Sequence, residues 1–214
     1  RQLQEDLMIE AAASMPSAIR IGDAAPDFQA RSTRGEFQLS KLRGHWVLLF
    51  SHPADFTPVC STEFVALARR QAEFEALGCK LVGVSVDSLY AHIAWVRALK
   101  DLFEVEIGFP IIEDPSMAVG RAYGMIGENA ADSMAMRSTF FIDPQGVVRA
   151  TTAYPHNVGR SVDELLRLLR ALKCVDEKDV LTPEGWTEGE AALLPVDDQT
   201  SGARDWFCRF EPQP

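Results

Sequence analysis

Continuous hydrophobic runs alternate along the chain with segments in which a hydrophobic residue recurs every three or four positions. Two apolar runs of strand length, "HWVLLFSH" and "CKLVGVSVD", each predict a buried β-strand, and "FPIIED" predicts a short strand. Helical spacing begins at Ser61 after the first run and ends near Gly78. After the second run, "SLYAHIAWVRALKDLF" predicts an amphipathic helix capped by Ser88. Strands and helices that alternate in this way predict an α/β fold.

Two hairpins and two further helices complete the pattern. "PDFQARSTRGEFQLS" and "STFFIDPQGVVRATTAY" each predict two short strands around a turn. "PSMAVGRAYG" predicts a short helix with Pro115 in its first turn and Gly124 at its end. Ser161 and Glu164 form a capping box at the start of the last helix. Because hairpins add antiparallel neighbours, we expect a mixed sheet flanked by helices.

The helical periodicity ends at about Cys174. The following "LTPEGWTEGEAALLPVDDQTSG" is rich in Pro, Gly and acidic residues, and the terminal "ARDWFCRFEPQP" carries aromatic residues typical of a docked tail. We therefore expect a main domain over residues 15–174 and an extended C-terminal arm or small second domain over residues 175–214. Met15 is a candidate native start, so residues 1–14 are either an appended extension or a flexible N-terminal arm.

Composition narrows the class of protein. The 214 residues are 47% hydrophobic and 24% charged, which is sufficient for one large domain with an appendage. The formal charge of −10 argues against a nucleic-acid surface, and the longest apolar stretch, "WVLLF", is too short to span a membrane. Four scattered cysteines without a CxxC pair fit a reducing compartment, so we expect a cytoplasmic protein.

One cysteine lies where strand pattern gives way to helix pattern. In "HPADFTPVC" the thiol of Cys60 would meet the free N–H groups at a helix start, which stabilise a thiolate. The alternative is a buried cysteine that packs as a small hydrophobic residue. Pro53 and Pro58 restrict the backbone ahead of it, which a packing role does not require. The hydroxyl of Thr57 could reach the sulfur or could cap the helix.

This stretch resembles the signature of a known family. Pro53-x-x-x-Thr57-x-x-Cys60 is similar to the peroxidatic motif of the peroxiredoxins, and "SHPADFTPVCSTE" is closest to their one-cysteine branch. "VSVDS", "FPIIED", "YPHNVGR" and the terminal "PQP" extend the resemblance over residues 16–214. The resemblance implies a thioredoxin-like fold with a C-terminal dimerisation arm, assembled as a homodimer or a ring of dimers.

The same resemblance implies a thiol-dependent peroxidase. Such an enzyme reduces hydrogen peroxide and organic hydroperoxides through a sulfenic acid, here at Cys60, and needs no metal or organic cofactor. Its oxidised cysteine is reduced by an external thiol of the thioredoxin, glutathione or small-thiol type. In the family pattern Arg137 of "MRSTFFID" stabilises the thiolate, Thr57 and Arg137 hold the peroxide oxygens, and Pro53 shields the sulfenate.

Three residues are candidates for supporting this site. Arg160 is a second cation for the electrostatic surroundings of the thiol, or a charge that flanks a helix. Glu63 either holds an arginine in place or favours the helix N-terminus. His52 either forms a hydrogen bond near the pocket or is a satisfied core histidine.

The remaining cysteines have separate predictions. Some prokaryotic relatives resemble the chain at "DWFC", and there a tail cysteine acts as resolving thiol; Cys208 is therefore a candidate partner for Cys60 across a dimer, or else a buried thiol among aromatics. Cys79 and Cys174 are expected in the core.

Other functions fit the sequence less well. A thiol–disulfide oxidoreductase needs a CxxC pair, and Thr57 occupies the partner position. A cysteine hydrolase needs a base, and no spacing supports His92 or His156. A phospholipase activity known in some relatives needs a serine where this chain has His45. A peroxide sensor or holdase chaperone on the same fold stays an alternative.

Overall fold

A seven-stranded mixed sheet forms the centre of the computed structural model, which describes residues 19–127, 130, 132–196 and 204–211. Across the sheet the order is β2-β1-β5-β4-β3-β6-β7. The extension predicted over residues 1–14 and the terminal "PQP" lie outside the described residues. The strands are β1 (Gln29–Ser32), β2 (Gly35–Gln38), β3 (Trp46–Ser51), β4 (Cys79–Ser85), β5 (Ile111–Glu113), β6 (Arg137–Ile142) and β7 (Val148–Tyr154).

Strand β3 occupies the inner part of the sheet, and all six of its residues are buried. It pairs in parallel with β4 and antiparallel with β6, while β4 pairs in parallel with β5. Both faces of β3 are covered, which explains its continuous apolar run. The predicted hairpins are present as the antiparallel pairs β1–β2 and β6–β7. The predicted mixed sheet is confirmed.

Helices cover both faces of this sheet. On one face, Trp46, Leu48 and Phe50 of β3 share a hydrophobic core with Phe64 and Trp95. On the other face, the intervening residues of β3 pack in a second core with the short fourth helix. The helices are α1 (Pro58–Arg69), α2 (Gln71–Ala76), α3 (Leu89–Phe103), α4 (Ala118–Ala122) and α5 (Val162–Lys178), besides one 3₁₀ turn (Leu39–Leu42).

Several predicted helix bounds are wrong by a few residues. Helix α1 begins at Pro58, three residues before the predicted Ser61, because proline has the φ that the first helical position requires. It ends at Arg69, so the single helix predicted as far as Gly78 is two helices. Pro115 precedes α4 and is not part of it. The helix end predicted at about Cys174 lies at Lys178.

The C-terminal segment packs on α5. Antiparallel bridges join Leu181 to Leu193 and Leu193 to Phe210. Trp186 is buried in a small separate core with Cys174 of α5. Within the described parts of the chain, no helix is both long enough and apolar enough to pass through a bilayer.

Candidate active site

The turn between β3 and α1 presents the thiol. Thr57 has extended backbone (φ −101°), Pro58 is the first helical residue and Cys60 is the third. Cys60 exposes 0% of its surface, and its sulfur lies in the first turn of α1, where backbone N–H groups lack partners within the helix. The prediction of a cysteine at a helix start is confirmed.

Arg137 reaches the same place from the sheet. It is the first residue of β6, which runs antiparallel to β3, so this end of β6 lies beside the carboxyl end of β3. Its Nη1 lies 3.2 Å from the sulfur of Cys60, although 77 positions separate the two residues. A guanidinium at this distance stabilises a thiolate relative to a thiol.

Glu63 holds Arg137 and a second arginine in place. Its Oε2 accepts from Nη1 of Arg137 at 2.7 Å, and its Oε1 accepts from the backbone N–H and Nε of Arg160 at 2.8 and 2.9 Å. Burial opposes the negative charge, but hydrogen bonds and charge from both arginines hold the pKa of Glu63 below its usual value. Two guanidiniums and one carboxylate leave one excess positive charge beside Cys60, which a thiolate neutralises.

The orientation of Arg137 has a second support. Its Nε and Nη2 donate to the carbonyl of His156 at 3.0 and 2.6 Å. Arg160 reaches the site through Glu63 and also donates to the carbonyl of Ser138 at 3.1 Å. Four N–H groups of Arg137 thus have partners, namely the carboxylate of Glu63, the carbonyl of His156 (twice) and the sulfur of Cys60.

Thr57 and Pro53 lie in the turn beside the thiol. The hydroxyl of Thr57 donates to the carbonyl of Ala54 at 2.8 Å, so it is not used to cap α1. Its oxygen keeps lone pairs that can accept a further hydrogen bond. Pro53 is buried, as a shielding residue must be.

His52 combines parts of both alternatives: it lies in the core and contacts Asp55 in the turn before Cys60, but its Nδ1 has no hydrogen-bond partner among the described residues. It is fully buried, stacks on Trp95 with ring centroids 5.3 Å apart, and its Nε2 lies 2.8 Å from Oδ1 of Asp55. Burial lowers the pKa of His52, so the ring is neutral. The other oxygen of Asp55 lies 2.7 Å from Nδ1 of His92.

Sequence reasoning missed Asp55 in this arrangement, and considered His92 only as a base for hydrolysis. Potential ligand atoms of His52, Asp55 and His92 lie within 4.8 Å of one another, and all three residues are buried. Their proximity depends on where α3 crosses the sheet. The one local signal was an acidic residue between the two prolines of the turn.

The other cysteines differ in exposure. Cys79 and Cys174 are buried, as predicted, and burial raises the pKa of Cys79 to about 12. Cys208 is exposed, so the alternative of a buried thiol is wrong for the single chain. Its neighbours Trp206 and Phe207 are exposed too. The structure leaves Cys60 and Cys208 as free thiols and does not bring them together.

A thioredoxin-like fold that places a buried cysteine at a helix start, against an arginine, defines a class of thiol redox protein. Comparison with known proteins agrees: residues 21–151 match the AhpC/TSA family. Peroxiredoxin 2 of Thermoplasma acidophilum is 44% identical over 199 residues, which cover 89% of this chain and 99% of that protein.

Solved structures give the same result. Yeast mitochondrial 1-Cys peroxiredoxin superposes with a TM-score of 0.83 at 34% identity, covering 91% of this chain and 100% of the other. Peroxiredoxin 6 of Arenicola marina has a TM-score of 0.83 at 29% identity, covering 92% and 99%. The chain belongs to the AhpC/TSA family of peroxiredoxins. It is a thiol-dependent peroxidase.

Proposed function

We propose that Cys60 is the peroxidatic nucleophile of this enzyme. The observation that carries the proposal is the 3.2 Å distance from Nη1 of Arg137 to the sulfur, in a buried pocket with one excess positive charge. Of the other cysteines, Cys79 and Cys174 lie in the core, and Cys208 is exposed on the tail. Cys60 alone among them combines a helix start with a contacting guanidinium.

The proposed reaction begins with the Cys60 thiolate. The sulfur attacks one oxygen of hydrogen peroxide or an organic hydroperoxide, the S–O bond forms, and the O–O bond breaks. Sulfur is oxidised by two electrons to a sulfenic acid, and the peroxide is reduced. The departing oxygen takes up a proton and leaves as water or alcohol.

The surrounding residues orient the peroxide. Arg137 donates hydrogen bonds to the oxygens as charge develops on them, while the oxygen of Thr57 accepts from the peroxide O–H. That acceptor is oriented because the hydroxyl hydrogen already points to Ala54. Pro53 covers the sulfenic acid. Glu63 and Arg160 are positioning residues that hold Arg137 in line.

A substitution series tests this assignment. Cys60→Ser should abolish peroxide consumption, and Cys174→Ser, which changes another buried cysteine in the same way, should retain it. After one equivalent of peroxide the parent should gain one oxygen atom by intact mass, located on Cys60 by peptide analysis. Peroxide consumption by Cys60→Ser at the parent rate refutes the proposal.

For the reductive half of the cycle we propose that an external thiol reduces the oxidised enzyme, with Cys208 as a candidate resolving thiol. The yeast neighbour is described as a 1-Cys peroxiredoxin resolved through glutathione and thioredoxin systems. Here an external thiol of the thioredoxin, glutathione or small-thiol type would complete the cycle. Exposure of Cys208 leaves its sulfur accessible for a disulfide with Cys60 of a second copy. If peroxide-treated Cys208→Ser still forms a cross-linked dimer on non-reducing electrophoresis, Cys208 is excluded.

We further propose a homodimer, alone or in a ring of dimers, in the cytoplasm. Support for assembly comes from Trp206, Phe207 and Phe210, which expose 39%, 66% and 54% of their surface in the single chain. Support for the compartment comes from four free cysteines. Sedimentation of the purified protein and fractionation of the source cells test the two statements, and a monomer refutes the first.

A further inference from the structure

Asp55 is anchored at three atoms in the middle of the turn that precedes Cys60. Oδ1 lies 2.8 Å from Nε2 of His52, and Oδ2 lies 2.7 Å from Nδ1 of His92. The backbone N–H of Asp55 donates to Oδ2 of Asp87 at 3.1 Å. These contacts tie the turn to α3 and to the segment that follows β4. Cys60 lies five residues further along.

The protons on His92 follow from its neighbours. Nε2 lies 3.2 Å from the carbonyl oxygen of Ile112, and a carbonyl only accepts, so Nε2 carries a hydrogen. Nδ1 faces an oxygen of Asp55, and an ionised carboxylate also only accepts. Both ring nitrogens of His92 thus face acceptor oxygens, an arrangement that an imidazolium satisfies because both of its nitrogens donate.

The ionisation of Asp55 completes this assignment. Burial opposes its charge, but hydrogen bonds from His52 and His92 outweigh that cost and hold the pKa of Asp55 below its usual value. His52 is kept neutral by burial. A cluster in which Asp55 is ionised and both nitrogens of His92 donate contains one anion and one cation. Asp87 and Glu113 are the other charged groups that face it.

We propose that Asp55 and His92 are positioning residues for the peroxidatic thiol, forming a buried carboxylate–imidazolium pair that fixes the turn between β3 and α1. The inference rests on the proposed role of Cys60. Phe56, the residue after Asp55, has φ +57°, a left-handed conformation that residues other than Gly rarely adopt. A turn with such a residue needs external anchors, and the pair supplies them next to it.

The pairing also removes a net charge from the site. An unpaired buried carboxylate in this turn would oppose a thiolate at Cys60, whereas the neutral pair does not. Loss of either partner thus has two effects. The turn is released from α3, and the field at the sulfur changes.

The protonation state is tested directly on the parent protein. In ¹⁵N spectra at neutral pH, both ring nitrogens of His92 should show protonated shifts, and His52 should show one protonated and one unprotonated nitrogen. His92→Asn assigns the signals. A neutral His92 overturns the proposal, as does a stoichiometric metal ion bound to these rings. This readout does not involve Cys60, so it is independent of the proposed function.

The positioning role is tested by a double-mutant cycle. Asp55→Asn and His92→Asn should each slow sulfenic acid formation ~10-fold to ~100-fold, because small displacements of a reacting group have such effects. They should also shift the pH profile of Cys60 alkylation by iodoacetamide. The double variant should lose much less than the product of the two single losses, since it leaves no unpaired charge.

Glu113→Gln is the matched control. Glu113 accepts from the backbone N–H of Leu89 at the start of α3 and from Arg31, so this variant disturbs the same helix and removes a neighbouring charge but breaks no hydrogen bond of the pair. The control should keep the parental rate and alkylation profile. Equal slowing by Glu113→Gln, or independent effects of the two single substitutions, overturns the proposal. Far-ultraviolet circular dichroism confirms that each variant is folded.

Discussion

Replacement of Glu63 by Gln should destabilise the protein severely. The carboxylate accepts four hydrogen bonds, one from Arg137 and three from Arg160, and all three side chains expose 3% or less. In either amide orientation, the NH₂ group of Gln faces two donors. Two buried guanidiniums also lose their counter-charge. Breaking a buried ion pair on one side costs about 3–5 kcal/mol, and we expect a loss of that size.

The stability that Glu63→Gln loses relative to the parent should become smaller as the pH falls. The pKa of Glu63 is below its ordinary value of 4.5 in the folded protein, because both arginines outweigh the effect of burial. The folded state therefore binds fewer protons than the unfolded chain, and the contribution of Glu63 is fully present above pH 4.5. It is lost as the pH falls below that value toward the folded pKa. The difference in unfolding free energy between the parent and Glu63→Gln should narrow over the same pH range.

Urea unfolding followed by tryptophan fluorescence measures this gap at neutral pH and at a series of acidic values. Glu73→Gln is the matched control, because Glu73 also contacts two arginines, Arg70 and Arg170, but at the surface. Its loss should be several-fold smaller, as exposed ion pairs contribute little. Equal losses in the two variants, or a Glu63→Gln gap that does not change with pH, would refute the reasoning.

Three further predictions follow from single residues. Arg137→Lys should slow the peroxide reaction about 100-fold, because one ammonium cannot contact Cys60 and the His156 carbonyl together. Stopped-flow measurements give the rate, and a rate equal to that of the parent contradicts this prediction. Gly78→Ala should cost about 1 kcal/mol in urea unfolding, since φ is +69° and the added Cβ has no atom within 4 Å. Cys79 should stay unlabelled in a short iodoacetamide pulse at mildly alkaline pH, because its pKa is about 12, and peptide mass spectrometry detects any labelling.

Local pattern was sufficient for most of the fold. Strand β3 is a plain apolar run, and Ser88 and Ser161 accept from Ala91 and Glu164 as expected of helix caps. The break between α1 and α2 at Arg70 was not predictable from local pattern, because the sequence has no helix-breaking Gly or Pro there. Hydrophobic spacing continues through the break.

In the candidate site, too, some features were predictable from the sequence and others were not. Spacing within one segment placed Cys60 at a helix start, because a helix start is a local feature. Arg137 came only from family resemblance, since its contact depends on the pairing of β6 with β3. The contact of Asp55 with His92 depends on how α3 packs on the sheet, and neither spacing nor resemblance revealed it.

The distance of 77 positions between Cys60 and Arg137 has a consequence for biosynthesis. A ribosome releases the turn that carries Cys60 well before it has translated β6. Until β6 pairs with β3, the thiol lacks the guanidinium that stabilises its reactive form. A nascent chain that has not yet formed β6 therefore lacks this contact. Under the proposed role of Arg137, activation of the sulfur is thus coupled to completion of the sheet.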